Sequence, residues 1–82
     1  MVDVRNVIEK IVKDEFNIDI GKVNPDSELR DQVDLDSMRF VEIYAALIDE
    51  LGVEIPSKIM ESRTLNQIVS IIEEALRQTG SR

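Results

Sequence analysis

Apolar residues recur every three to four positions near both ends of the chain and in its middle, and two stretches between them break that rhythm. Val4, Val7, Ile8, Ile11 and Val12 share one side of a helical projection, with Arg5, Glu9, Lys10 and Lys13 on the other. That spacing predicts a helix from about Asp3 to Phe16. From Asn17 to Asp36 the period is lost, and Gly21, Asn24, Pro25, Asp26 and Ser27 are turn formers, so a long irregular connection is predicted. Connections of that length are uncommon in small domains unless pinned or functional. Ile18, Ile20, Val23, Leu29, Val33 and Leu35 are spaced to pin this one against the helices.

A second long helix is predicted to start at Asp36 or Ser37 and to stop near Leu51, where Gly52 supplies the left-handed C-terminal position. On this helix Phe40, Val41, Tyr44, Ala45, Leu47, Ile48 and Leu51 cover a very wide arc, and Arg39, Glu42, Asp49 and Glu50 share the remaining strip. One packed face does not need so wide an arc. Some of these apolar residues should therefore stay partly exposed beside the acids, while the helix as a whole sits centrally. Pro56 prevents the helix from continuing, and Ser57 to Ser62 has room for one short helical turn. Thr64-Leu65-Asn66-Gln67 matches a capping box opening a last helix, whose stripe is Leu65, Ile68, Val69, Ile72, Ala75 and Leu76. Thr79 to Arg82 should fray. The expected fold is all-α: a small bundle of three main helices plus one short helix, with a long loop after the first, in a single domain over residues 1–82.

Composition narrows the chemistry. Eighty-two residues make one modest core, and with two phenylalanines, one tyrosine and no tryptophan that core must be aliphatic. Cysteine and histidine are absent. Serine triads, cysteine–histidine dyads, and thiolate or imidazole metal sites are thereby excluded, and no catalytic residue is expected. No apolar run approaches the roughly 20 residues that span a bilayer. No basic-then-apolar leader opens the chain, so a cytoplasmic protein is expected. A start at methionine and an end without a linker suggest a freestanding protein, expected as a monomer.

The formal charge of −7 argues against nucleic acid and anionic membranes as partners and favours basic protein surfaces. It is unevenly spread: Asp34, Asp36, Glu42, Asp49, Glu50 and Glu54 are opposed only by Arg39, while the segment after Ser57 is slightly basic. Surplus acid can simply keep a small protein soluble. Its concentration beside one serine favours a docking surface instead.

That serine is Ser37, in Leu35-Asp36-Ser37-Met38. A helix N-terminus presents unpaired N–H groups and the positive end of the dipole, which suits an attached phosphate. Asp34 to Pro56, DLDSMRFVEIYAALIDELGVEIP, resembles the prosthetic-group site and following helix of acyl carrier proteins, and the match extends helix for helix over nearly the whole chain. The resemblance implies that Ser37 accepts 4′-phosphopantetheine from coenzyme A through a phosphopantetheinyl transferase. It implies that Asp36 is the acid preceding the serine and Met38 an apolar contact for modifying enzymes. Glu42 and Asp49 would meet basic docking patches on acyl-transferring and acyl-processing enzymes. Leu29, Val41, Leu47, Ile55 and Ile72 would line the space for a tethered chain. The implied function is to hold acyl intermediates as thioesters for fatty-acid, lipid or polyketide-type biosynthesis.

Some positions depart from the family pattern. Asp34 and Leu35 replace the glycine common just before the serine, Arg39 and Ile48 stand where acids are frequent, and Lys58 and Arg63 make the third-helix region less acidic. These changes point to a specialised carrier with its own enzymes. Three other readings remain open on the residues: an aminoacyl or peptidyl carrier of the same fold, an unmodified acidic helical adaptor and, last, a carboxylate-based enzyme, for which no acid pair is matched to an apolar environment.

Overall fold

The computed structural model describes residues 3–80, with side chains through residue 78. Helix α1 (Val4–Phe16) begins where the Asp3 carboxylate accepts from the Asn6 N–H at 3.3 Å. It ends where Asn17 turns into the left-handed region, φ 57°, and donates its N–H to the Lys13 carbonyl at 2.9 Å. Asparagine tolerates that conformation better than most residues. Val4, Ile8, Ile11 and Val12 are buried, as their spacing predicts.

The next twenty residues carry more structure than the irregular connection expected of them. Ile20–Lys22 forms a 3-10 turn, and Leu29–Gln32 forms one turn of helix, α2. The Gln32 side chain ties the intervening loop together: its amide oxygen accepts from the Asn24 N–H at 2.7 Å, and its amide nitrogen donates to the Asn24 carbonyl at 3.0 Å. Of the six residues expected to pin the loop, Ile20, Leu29 and Leu35 are buried; Ile18, Val23 and Val33 are partly buried against the core. The loop is also stitched to the far end of the chain. Leu29 N–H donates to the Arg63 carbonyl at 2.7 Å, Asn66 N–H to the Pro25 carbonyl at 3.1 Å, and the Arg63 guanidinium pairs with Glu28 at 2.9 Å.

Helix α3 (Ser37–Leu51) follows, capped by Asp36 and closed by Gly52 at φ 66°. A Cβ on Gly52 would meet no heavy atom within 4 Å, so this glycine supplies backbone conformation and not room. The short helix expected over Ser57–Ser62 is a 3-10 segment, Ser57–Glu61, held to the core by the fully buried Ile59. The capping box is present in both directions: Gln67 N–H donates to Thr64 Oγ1, and Thr64 N–H donates to Gln67 Oε1, each at 3.2 Å. Helix α4 (Leu65–Gly80) runs through Thr79 and Gly80, where fraying is expected; Ser81 and Arg82 lie outside the described residues.

Helices α1, α3 and α4 close around an aliphatic core in which Phe40 is the one buried aromatic ring among the described residues, and no buried residue is polar or charged. Each fully buried Leu or Ile contributes about 1.5–3 kcal/mol. The architecture is the small all-α bundle expected. Its central helix, however, is rotated relative to the broad arc read from the sequence. Phe40, Ile43 and Leu47 are buried, and Tyr44, Ile48 and Leu51 are half-buried, whereas Val41 and Ala45 face solvent. Ile43 is absent from the expected arc and belongs to the core.

Candidate functional site

Ser37 is the first residue of α3 and is exposed. Its position is set by the three residues before it. Leu35 is 3% exposed, plugs into the core, and donates its N–H to the Val33 carbonyl at 3.0 Å. Asp36 is extended, φ −76° and ψ 176°; its carboxylate accepts the Arg39 N–H at 2.9 Å and its carbonyl accepts the Phe40 N–H at 3.0 Å. Asp34 is held from the helix side: the Arg39 guanidinium donates to the Asp34 carbonyl at 2.9 Å and to its carboxylate at 3.2 Å, and lies 5.6 Å from the centre of the Phe16 ring. Capping by Asp36 reaches the third N–H of the helix, so those of Ser37 and Met38 have no intrahelical acceptor and point out at the positive end of α3.

Met38, Glu42, Ala45 and Asp49 are all exposed and fall within about 60° of one another around the helix. Val41 borders them. Met38 is 76% and Val41 51% exposed, and they are the large hydrophobic side chains most open to solvent among the described residues. The stripe begins at the serine and runs along α3, apolar in its first turn and flanked by carboxylates. Asp36 stands at its start with its carboxylate turned onto the Arg39 N–H. Asp36 therefore has two separable roles, cap and charge. Asp36→Ala is expected to cost about 0.5–2 kcal/mol of stability through loss of the cap, and Asp36→Asn much less, since asparagine caps as well. Urea denaturation of the two variants measures the difference.

Of the five residues expected to line a space for a tethered chain, Leu29, Leu47, Ile55 and Ile72 are buried together in the core. Val41 does not join them. It lies on the outer side of α3, half open to solvent.

The segment Ser57–Glu61 is anchored by the buried Ile59 and otherwise open on one side. A cleft of about 330 Å³ lies between it and α4, lined by Lys58, Glu61, Ser62, Gln67, Ser70 and Ile71. Ser62 Oγ is buried without a hydrogen-bond partner among the described residues. On the other side the Tyr44 hydroxyl donates to the Ile55 carbonyl, fastening the segment's lead-in to α3. Among the described residues no group of three or more carboxylates is arranged to hold a metal ion, and no helix is long and apolar enough to cross a membrane.

The two residues that bear on the site without any functional expectation attached to their contacts are Arg39 and Phe16. Arg39 stands out in the sequence as the lone cation among six acids. Its partner Asp34 lies five positions back, across the start of the helix, where helical periodicity says nothing.

Comparison with known proteins agrees with this geometry. A family model described as the phosphopantetheine attachment site matches residues 6–72. The chain is 36% identical over 76 residues to an acyl carrier protein of Sinorhizobium fredii, covering 92% of this chain and 97% of the relative. An acyl carrier protein of Rhizobium meliloti is similar to the same extent. One from a Picosynechococcus species is 30% identical over 73 residues, covering 88% of this chain and 90% of the relative.

Proposed function

Since the chain belongs to the acyl carrier protein family, we propose that Ser37 is the residue through which it holds 4′-phosphopantetheine and that the stripe from Met38 to Asp49 is where its partner enzymes dock. The protein is a carrier and not an enzyme; its partners supply the catalysis. When bound, the prosthetic group supplies the terminal thiol that a chain without cysteine lacks, and acyl groups ride on it as thioesters.

The observation that carries the assignment is an exposed serine at the first position of α3, preceded by a capping aspartate and followed by an exposed apolar and acidic stripe. A phosphopantetheinyl transferase, with Mg²⁺ held by that enzyme, would take the Ser37 hydroxyl proton and direct the oxygen onto the β-phosphate of coenzyme A, breaking its pyrophosphate bond and releasing adenosine 3′,5′-bisphosphate. The chain's part is presentation. The outward N–H groups of Ser37 and Met38 and the positive end of α3 suit a phosphodiester at this position. Met38 and Val41 offer apolar area to a partner, while Asp36, Glu42 and Asp49 supply the charge that draws basic patches and fixes their register.

Acyl cargo is supported by the relatives, which are named as acyl carrier proteins; fatty-acid, lipid or polyketide-type synthesis is the pathway class we assign. Lys58 and Arg63 beyond α3 make that end of the molecule less acidic and favour a dedicated set of partners. The Ser57–Glu61 segment, short and bordered by an open cleft against α4, is where a tethered chain would enter or leave the wall of Leu29, Leu47, Ile55 and Ile72.

Incubation with coenzyme A, Mg²⁺ and a broad-specificity phosphopantetheinyl transferase tests the assignment. The intact mass should rise by one phosphopantetheine. No addition with several transferases would leave an unmodified acidic adaptor as the better reading.

A further inference from the structure

Arg39 is the single cation on an otherwise acidic stretch, yet it is not spent on the solvent face. Its side chain is 40% exposed and reaches back over the loop that delivers Ser37, with three contacts: the Asp34 carbonyl at 2.9 Å, the Asp34 carboxylate at 3.2 Å, and the Phe16 ring at 5.6 Å. The three are not equivalent. The Asp34 carboxylate is 84% exposed, and an ion pair so open to water adds little. The bond to the main-chain carbonyl fixes the orientation of a peptide unit, and the guanidinium that makes it lies within cation–π range of the Phe16 ring.

Each residue ahead of the serine is thus held by a different device: Asp34 by Arg39, Leu35 by burial, Asp36 by its cap. The Asp36 cap is taken by the main-chain N–H of residue 39, so the Arg39 side chain acts on Asp34 alone. Without a glycine between Val33 and Ser37, the loop has little tendency of its own toward unusual backbone angles, and the strap holds it in one conformation. Taking Ser37 as the attachment point, we infer that Arg39 is a positioning residue for phosphopantetheine transfer: it straps Asp34 to the ends of α1 and α3, so that the serine reaches the transferase already oriented.

Placement of a reacting hydroxyl acts on the bound complex, so its loss falls on kcat more than on KM. Arg39→Met keeps much of the side-chain length and an apolar contact with Phe16 while removing every side-chain donor; the main-chain N–H that Asp36 caps is unchanged. It should lower kcat for transfer from coenzyme A about tenfold, with KM within about twofold. Arg39→Lys keeps a donor and the charge but not the planar fork, and should fall between the two. In the unmodified protein, backbone order parameters at Asp34–Ser37 should drop in Arg39→Met from about 0.85 toward about 0.6, with no change across α4.

Wild-type kcat in Arg39→Met, or unchanged order parameters, overturns the inference. A rise in KM alone also overturns it and makes Arg39 a docking charge. If the wild-type chain accepts no phosphopantetheine, the assignment of Ser37 fails and the role in transfer fails with it. The order parameters are read on the unmodified protein, so they separate that failure from the absence of a strap.

Discussion

Ser37→Ala is expected to abolish phosphopantetheine uptake while leaving the fold intact. The serine is exposed at the first turn of α3, and among the described residues its hydroxyl has no hydrogen-bond partner. The cap that starts the helix comes from Asp36, so removing one surface oxygen should change stability by no more than about 0.5 kcal/mol. The chain offers an unusually clean readout. It contains no cysteine, so a thiol titration of denatured protein should go from none to one on modification of the wild type and stay at none in Ser37→Ala. Intact mass provides the second reading. Uptake by the alanine variant would move the attachment point to another hydroxyl, with Ser57 at the start of the 3-10 segment the first to test.

Leu47→Ala should be a severely damaging core truncation on α3. Leu47 is fully buried near the middle of the helix, where the loss of its methyl groups combines with a cavity the surrounding bundle cannot fully collapse. A cost of about 2–5 kcal/mol is expected, against a total on the order of 4–12 kcal/mol for a chain of this size. The melting temperature should fall by more than about 10 °C. Val41→Ala is the control. Val41 is 51% exposed, and its truncation should cost no more than about 0.5 kcal/mol, with any effect showing in partner binding. Urea denaturation followed by circular dichroism compares the two; equal costs would return Val41 to the core.

The contrast between Leu47 and Val41 also marks where sequence alone stops being informative. Helix ends are written in local chemistry: Asp36 before Ser37, Gly52 after Leu51 and the Thr64–Gln67 pair act over four residues or fewer, and all three are where their patterns place them. The exposed serine at a capped helix start was legible for the same reason. Rotation of α3 was not. Its apolar residues surround most of the axis, so no projection selects Ile43 for the core and Val41 for solvent; packing of α1 and the Ser57–Glu61 segment against it decides. The short helix α2 was hidden for a different reason. Four residues cannot sustain a helix by propensity, and this one is held partly by the Leu29 to Arg63 hydrogen bond, made across more than thirty positions. The strap from Arg39 to Asp34 and Phe16 likewise joins residues that share no helical period.

Tyr44 is the one tyrosine in a chain without tryptophan, and its hydroxyl donates to the Ile55 carbonyl just ahead of Ser57–Glu61. The near-ultraviolet spectrum of this protein therefore originates almost entirely from a ring anchored at that point. A phenol bonded to a peptide carbonyl differs spectroscopically from one bonded to water. The chain thus carries a native optical reporter at one fixed point, and any change in the packing of the Tyr44–Ile55 contact can be followed in real time without attaching a dye.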